Sequence, residues 1–286
     1  VQVLRDTLAI PAGVASADAH FTFDLMLGLV LALLVMAVAL GKLPRLGKVT
    51  GMLVPTMVVG YLMLTAVVLA SHASEIPAAF AMIFEDAFSG NAVAGGVVGA
   101  VIITGIRRAA FSNEAGIGTE AMAHGAAQTK EPVREGMVAM LGPVIDTLIV
   151  CTCTALVILI SGVWQSGESD GVTLTANAFG DLFPHGGAVI LAVLVSLLSL
   201  STVFTFWYYG SKCLGFLIGA KYQHHYIWWY LVLVVLGAVA SLKLVVSLID
   251  SMYALMAVPT MTSALLLAPK VNQAAKRYLK PSQASR

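Results

Sequence analysis

Long apolar runs alternate with short polar connections along almost the whole chain. Six runs are close to the roughly 20 residues that a helix needs to cross a bilayer. They are Thr22–Gly41, Met52–Ser71, Gly136–Ser161, Ala188–Tyr209, Tyr226–Leu242 and Ser247–Ala268. A seventh run, Ala92–Ala127, does not fit. Its 36 residues would make a straight rod of about 54 Å, well beyond a hydrocarbon core of about 30 Å.

That seventh run also changes character halfway. Its first part, AVAGGVVGAVIITGI, is apolar and glycine-rich. Its second part, FSNEAGIGTEAMAH, is too polar to face lipid. Polar groups in hydrocarbon cost several kcal/mol unless they are paired or wetted, so they read as functional by default. Either the helix is broken, with Gly105, Gly116 and Gly118 permitting unwound backbone, or the membrane helix ends at Ile106 and a cytoplasmic loop follows. A broken helix reconciles length and polarity with a single crossing. Half-helix N-termini then suit a carboxylate, and freed carbonyls suit Na⁺.

Charge placement supports the single crossing. Lys42, Arg45 and Lys48 share one connection, Lys130 and Arg134 the next on that side, then Lys212 and Lys221. The tail adds Lys270, Lys276, Arg277, Lys280 and Arg286. The alternate connections hold Glu75, Glu85, Asp86, Glu168, Asp170 and Asp181, with only Arg5 and Lys243 as basic exceptions. Lysine and arginine mark the cytoplasmic side. The expectation is a multi-pass protein of the cell membrane, about seven transmembrane helices, with the C-terminus cytoplasmic and residue 1 outside. One membrane domain covers residues 1–286, and residues 270–286 form a basic tail. Ile76–Ser89 and Val172–Phe183 read as short amphipathic segments at the outer surface, either lids or plain surface helices.

Composition agrees. Of 286 residues, 59% are hydrophobic and 11% charged, with a mean hydropathy of +0.90. Soluble domains carry about 25% charged residues. A net charge of +1 gives no reason to expect a nucleic-acid partner. The partners expected are the lipid bilayer and a small solute, with no cofactor. Cys151, Cys153 and Cys213 lie in apolar stretches and read as packing residues. The opening VQVLRDTLAI has neither Met nor a signal-peptide pattern, so residue 1 is read as internal to a longer protein.

Three further polar features need partners. Pro143 should kink its helix, and Asp146 must face protein or water, through a helix-packing bond or a substrate contact. Arg107 and Arg108 either pair with Glu114 or Asp146, cap a half-helix, or meet a substrate carboxylate. Ser199, Ser201, Thr202 and Thr205 put hydroxyls on an apolar helix, where Ser201 and Thr205 share a face. Hydroxyl oxygens suit Na⁺, yet such side chains also bond back to their own helix. An enzyme would have to use Glu114, Glu120, His124 and Asp146, but Glu120 and His124 are a lone i, i+4 pair and no HExxH spacing occurs. A channel or structural subunit is the remaining alternative.

FSNEAGIG, then AHGAA, a loop with proline and arginine, and IDTLIVCT resemble the alanine/glycine:cation symporter family, the sodium:alanine symporters. LSTVFTFWYYGSKCLGFLIG and DSMYALMAVPT are similar to later helices of that family. The resemblance implies an all-α polytopic membrane protein with part of a leucine-transporter-type inverted-repeat fold, here core helices four to ten. Ala92–Ala127 falls on the sixth, the broken helix. The resemblance implies sodium-coupled symport of a small neutral amino acid, alanine or glycine. It puts substrate against Phe111, Ser112, Asn113 and Gly116, and sodium on Ser201 and Thr202. Phe206 stands where the family usually has tryptophan, which alters the pocket's shape. Core helices one to three would precede residue 1, so residues 1–286 alone are not expected to transport.

Overall fold

The computed structural model describes residues 1–16, 20–88, 98–167 and 171–279. Residues 92–97 of the long run, Glu168 and Asp170, and the tail from Lys280 onward lie outside these. Among the described residues the chain is helical throughout, with no strand.

A turn of α-helix, Gln2–Leu4, leads into a π-helical stretch, Arg5–Ala9. There follow α1 (Phe21–Ala39), α2 (Lys42–Ser71), α3 (Ile76–Phe88), α4 (Val98–Asn113), α5 (Thr119–His124) and α6 (Pro132–Ala139). The chain continues through Leu141–Pro143 and a second π-helical stretch, Val144–Cys151, into α7 (Thr152–Ser161). The last helices are α8 (Gly171–Leu182), α9 (Gly187–Ile218), α10 (Tyr226–Val239) and α11 (Leu242–Leu279).

Five helical stretches are long and apolar enough to cross a membrane: Phe21–Ala39, Arg45–Ser71, Pro132–Ser161, Gly187–Ile218 and Leu242–Leu279. They make the chain a multi-pass membrane protein. The other two expected crossings are shorter as helices. Among the described residues α4 has 16 residues. Helix α10 has 14, or about 21 Å of rise, because Ala240 turns to extended backbone.

Packing divides the chain into two compact units, Val1–Phe88 with Thr152–Leu242, and Ser89–Cys151 with Lys243–Arg286. In the first unit α1 lies against α10 and α9 against α2 and α8. Gly28 lets the α1 and α10 backbones approach, since a Cβ there would lie 2.7 Å from Ala238 Cβ. Small residues play this part in lipid, where apolar burial alone does not hold helices together. Leu64, Val68, Val157, Phe179 and Leu191 form one buried cluster, and Val35, Leu46 and Phe204 another.

Two polar bonds tie helices of this unit. Tyr61 and Thr154 join their hydroxyls between α2 and α7. The Tyr230 hydroxyl donates to the Val203 carbonyl at 2.6 Å. The two outer segments expected near the surface are helices, but they differ in setting. In α8, Ala176, Ala178 and Phe179 are fully buried against α7 and α9. One face packs as core, while Val172, Asn177 and Asp181 on the rest of the helix are exposed. The second unit holds α4, α5, α6, the π-helical stretch Val144–Cys151 and α11 from Lys243 onward.

Candidate functional site

The expected break is present, and it is confined to five residues between Asn113 and Thr119. Glu114, Gly116 and Gly118 all adopt left-handed backbone, at φ of 54°, 79° and 97°. Glycine takes this conformation freely, while a residue with a Cβ such as Glu114 spends about 1–2 kcal/mol on it. Two long bonds cross the turn, from Glu114 N–H to Phe111 O at 3.4 Å and from Ile117 N–H to Glu114 O at 3.5 Å. Space also requires the glycines. A Cβ on Gly116 would lie 2.9 Å from Met261 Sδ, and one on Gly118 would lie 2.8 Å from Thr260 Oγ1. Helix α11 therefore packs closely on the break. Gly105 takes no part in it: that residue is interior to α4, where a glycine costs only about 1 kcal/mol and need not unwind the helix.

The last residues of α4 are held by the π-helical stretch. Pro143 has no N–H to donate and its ring crowds the preceding turn, and π geometry begins at the next residue. From that stretch, Asp146 accepts a hydrogen bond from the Ser112 hydroxyl. The Asn113 amide donates at 2.8 Å to Thr147 Oγ1, which donates back to Asn113 Oδ1 at 3.0 Å. Asn113 Nδ2 also donates to the Ala109 carbonyl at 3.0 Å. Cys151 Sγ lies 3.7 Å from Ser112 Oγ. Asp146 thus makes the helix-packing bond. Ser112 and Asn113, expected at a substrate, are engaged in fastening the broken helix.

Phe111 points the other way, toward α11, where it meets Tyr253 edge-on with ring centroids 4.9 Å apart. Beside these rings Arg107 Nη1 lies 3.6 Å from Asp250 Oδ2. Asp250 is therefore the carboxylate beside Arg107, and not Glu114 or Asp146, pairing with which was one of the three readings left open for it. No carboxylate pairs with Arg108 among the described residues. Arg107, Phe111, Asp250, Tyr253 and small alanines of both helices line a cavity of about 330 Å³, near the lower end of ligand-site sizes. Asp250 and Tyr253 escaped the sequence reading. The signal was there: a lone carboxylate in the apolar run Ser247–Ala268, of the kind already recognised at Asp146.

The remaining expected residues are in the other unit, on α9. The Ser201 hydroxyl donates to the Leu198 carbonyl at 2.7 Å, and the Thr202 hydroxyl reaches the same oxygen at 3.2 Å. Thr205 bonds likewise to Ser201 O at 2.8 Å. Ser201 is buried and Thr202 exposed. Phe206 is half-buried and meets Tyr209 edge-on at 5.6 Å. In the first unit, then, the hydroxyls make back-bonds within their helix.

The metal-type alternative gains nothing from the geometry. His124 Nδ1 bonds to Glu135 Oε1 at 2.8 Å. Among the described residues no three histidine, cysteine or carboxylate side chains gather as a metal site.

A model of the sodium:alanine symporter family matches residues 8–286. The chain is 40% identical over 257 residues to the sodium/alanine symporter AgcS of Methanococcus maripaludis, covering 89% of this chain and 56% of that protein. It is 36% identical over 258 residues to an uncharacterized transporter, YflA, of Bacillus subtilis, covering 88% and 55% respectively. It is also 32% identical over 276 residues to a Bacillus subtilis protein named probable sodium/glutamine symporter GlnT, covering 95% and 57%. The chain thus spans little more than half the length of these relatives, whose names describe transporters rather than enzymes. The break at FSNEAGIG, its glycine packing and this similarity along nearly all of the chain agree: the chain belongs to the sodium:alanine symporter family.

Proposed function

We propose that this chain is part of a secondary transporter that couples sodium to uptake of a small neutral amino acid, alanine or glycine. The observation that carries it is the helix broken at residues 114–118, with three left-handed residues in five. Backbone groups released by such a break fit the carboxylate and the ion of a symported pair. Phe111, Ser112, Asn113, Gly116 and Phe206 border the amino acid. Ser201 and Thr202 turn their hydroxyls from Leu198 toward sodium, which acts as the coupling ion and not as a cofactor. Residues 1–286 form one membrane domain of the leucine-transporter type, core helices four to ten, in the cell membrane with the tail cytoplasmic. Sodium and amino acid together stabilise an occluded state, and alternating access releases both.

The test is uptake of labelled alanine, glycine and glutamine into proteoliposomes bearing the full-length gene product. Saturable alanine or glycine uptake that needs an inward sodium gradient is expected. Uptake driven equally well by a proton gradient alone refutes the sodium coupling, and preference for glutamine refutes the substrate class.

A further inference from the structure

The cavity beside Phe111 has an unusual pair of charges. Arg107 and Asp250 are 3.6 Å apart at their nearest atoms, too far for the 2.7–2.9 Å contact of a charge-assisted hydrogen bond. The Arg107 side chain is 51% exposed and that of Asp250 only 19%. The second carboxylate oxygen, Asp250 Oδ1, is buried with no hydrogen-bond partner. A buried acceptor left unmade is costly, so the site is poised to receive a donor. A lone cation would meet the guanidinium, and a lone anion would meet the carboxylate. A molecule carrying both charges meets neither difficulty.

We infer that this cavity is a second seat for a zwitterionic amino acid, on the α11 side of the Phe111 ring, which it shares with the site around Ser112 and Asn113. The carboxylate takes the Arg107 fork, and the Asp250 side chain turns its unpaired Oδ1 to accept from the ammonium. Phe111 and Tyr253 flank the Cα side, and Ala254 and Ala257 leave room for a small side chain. The volume of about 330 Å³ admits alanine or glycine with some water. The inference rests on the amino-acid transport reading, because it supposes that such a molecule passes this helix. Holding substrate here raises its local concentration next to the break without taking part in sodium binding.

Equilibrium binding of labelled alanine to the purified full-length gene product in saturating sodium tests the inference, with uptake kinetics alongside. The wild type should bind two alanines per protein, and Arg107→Gln and Asp250→Asn one each. Both variants should raise the uptake KM about tenfold and leave kcat within twofold. Arg107→Lys, which keeps a cation, should retain the second alanine. Alaninamide, lacking the carboxylate, should compete poorly for the second seat. A wild-type stoichiometry of one, or variants with unchanged stoichiometry and KM, overturns the second seat while sodium-driven uptake leaves the transport reading intact. Absence of sodium-driven uptake in the wild type defeats the transport reading instead, and the binding ratio still reports on the cavity. Should Arg107→Gln fail to fold, Asp250→Asn alone decides.

Discussion

The Asn113 side chain and the Thr147 hydroxyl exchange hydrogen bonds at 2.8 and 3.0 Å, which fastens the end of α4 to the π-helical stretch Val144–Cys151. One residue earlier, Ser112 donates to Asp146. Consecutive side chains of a helix end thus meet consecutive side chains of the stretch that follows Pro143. A π turn inside an α-helix holds its extra residue at some cost and recurs at functional sites. Here it brings Asp146 and Thr147 to the broken helix.

The first prediction concerns this clasp. Asn113→Ala should lower sodium-driven alanine uptake by about tenfold, and Thr147→Ala by a similar factor. If the two act as one unit, Asn113→Ala/Thr147→Ala should cost little more than either alone. The expected coupling is about 1 kcal/mol, typical of a neutral hydrogen-bonded pair, here half-buried. Additive losses in uptake and thermal stability of the full-length gene product would dissolve the unit.

The second concerns sodium. Thr202→Val removes a hydroxyl at nearly constant shape, and Ser201→Ala removes its neighbour. If these oxygens turn from Leu198 to the ion, each variant should raise the sodium concentration for half-maximal uptake about tenfold, equivalent to about 1.4 kcal/mol. If back-bonding to Leu198 is their whole role, sodium dependence will stay at the wild-type value. Titration of uptake against sodium separates the two.

The third concerns the first unit. Gly28→Ala puts a methyl 2.7 Å from Ala238 Cβ, and overpacking of this kind costs about 1–3 kcal/mol. The melting temperature of the full-length gene product in detergent should fall by several degrees. Ala238→Gly in the same background should restore most of it. No recovery would mean that α1 and α10 do not meet at these residues.

Much of this architecture was legible because lipid imposes simple rules. Length and polarity alone marked Ala92–Ala127 as a helix that cannot run straight, and Gly116 and Gly118 named the place of the break. Asp146 was legible as a residue needing a protein partner. Its partner, Ser112, lies 34 positions away, and periodicity within one helix carries no information on that. Arg107 shows the same limit, since the nearest carboxylates in sequence, such as Glu114, were the natural guess while the fold supplies Asp250 from α11. Gly105 misled because glycine permits unwinding without requiring it. At Gly116 and Gly118 the neighbouring Met261 and Thr260 add the requirement. In α8, burial of Phe179 followed from its packing on α7 and α9, which an amphipathic pattern does not distinguish from a surface helix.

The fourth prediction tests whether the break depends on conformation or on space. Gly116 has φ of 79°, which an added Cβ penalises by about 1–2 kcal/mol. Its Cβ would also lie 2.9 Å from Met261 Sδ, a flexible neighbour that can move at modest cost. Gly116→Ala should therefore depress stability and uptake mainly through the backbone, leaving about a tenth of wild-type uptake by the same arithmetic. Met261→Ala added to it removes only the crowding and should recover a minor part of the loss. Gly118→Ala, with φ of 97° and Thr260 Oγ1 at 2.8 Å, should behave alike. Full recovery with Met261→Ala would make the glycine a matter of space, and the backbone at residue 116 could then be right-handed without loss of transport.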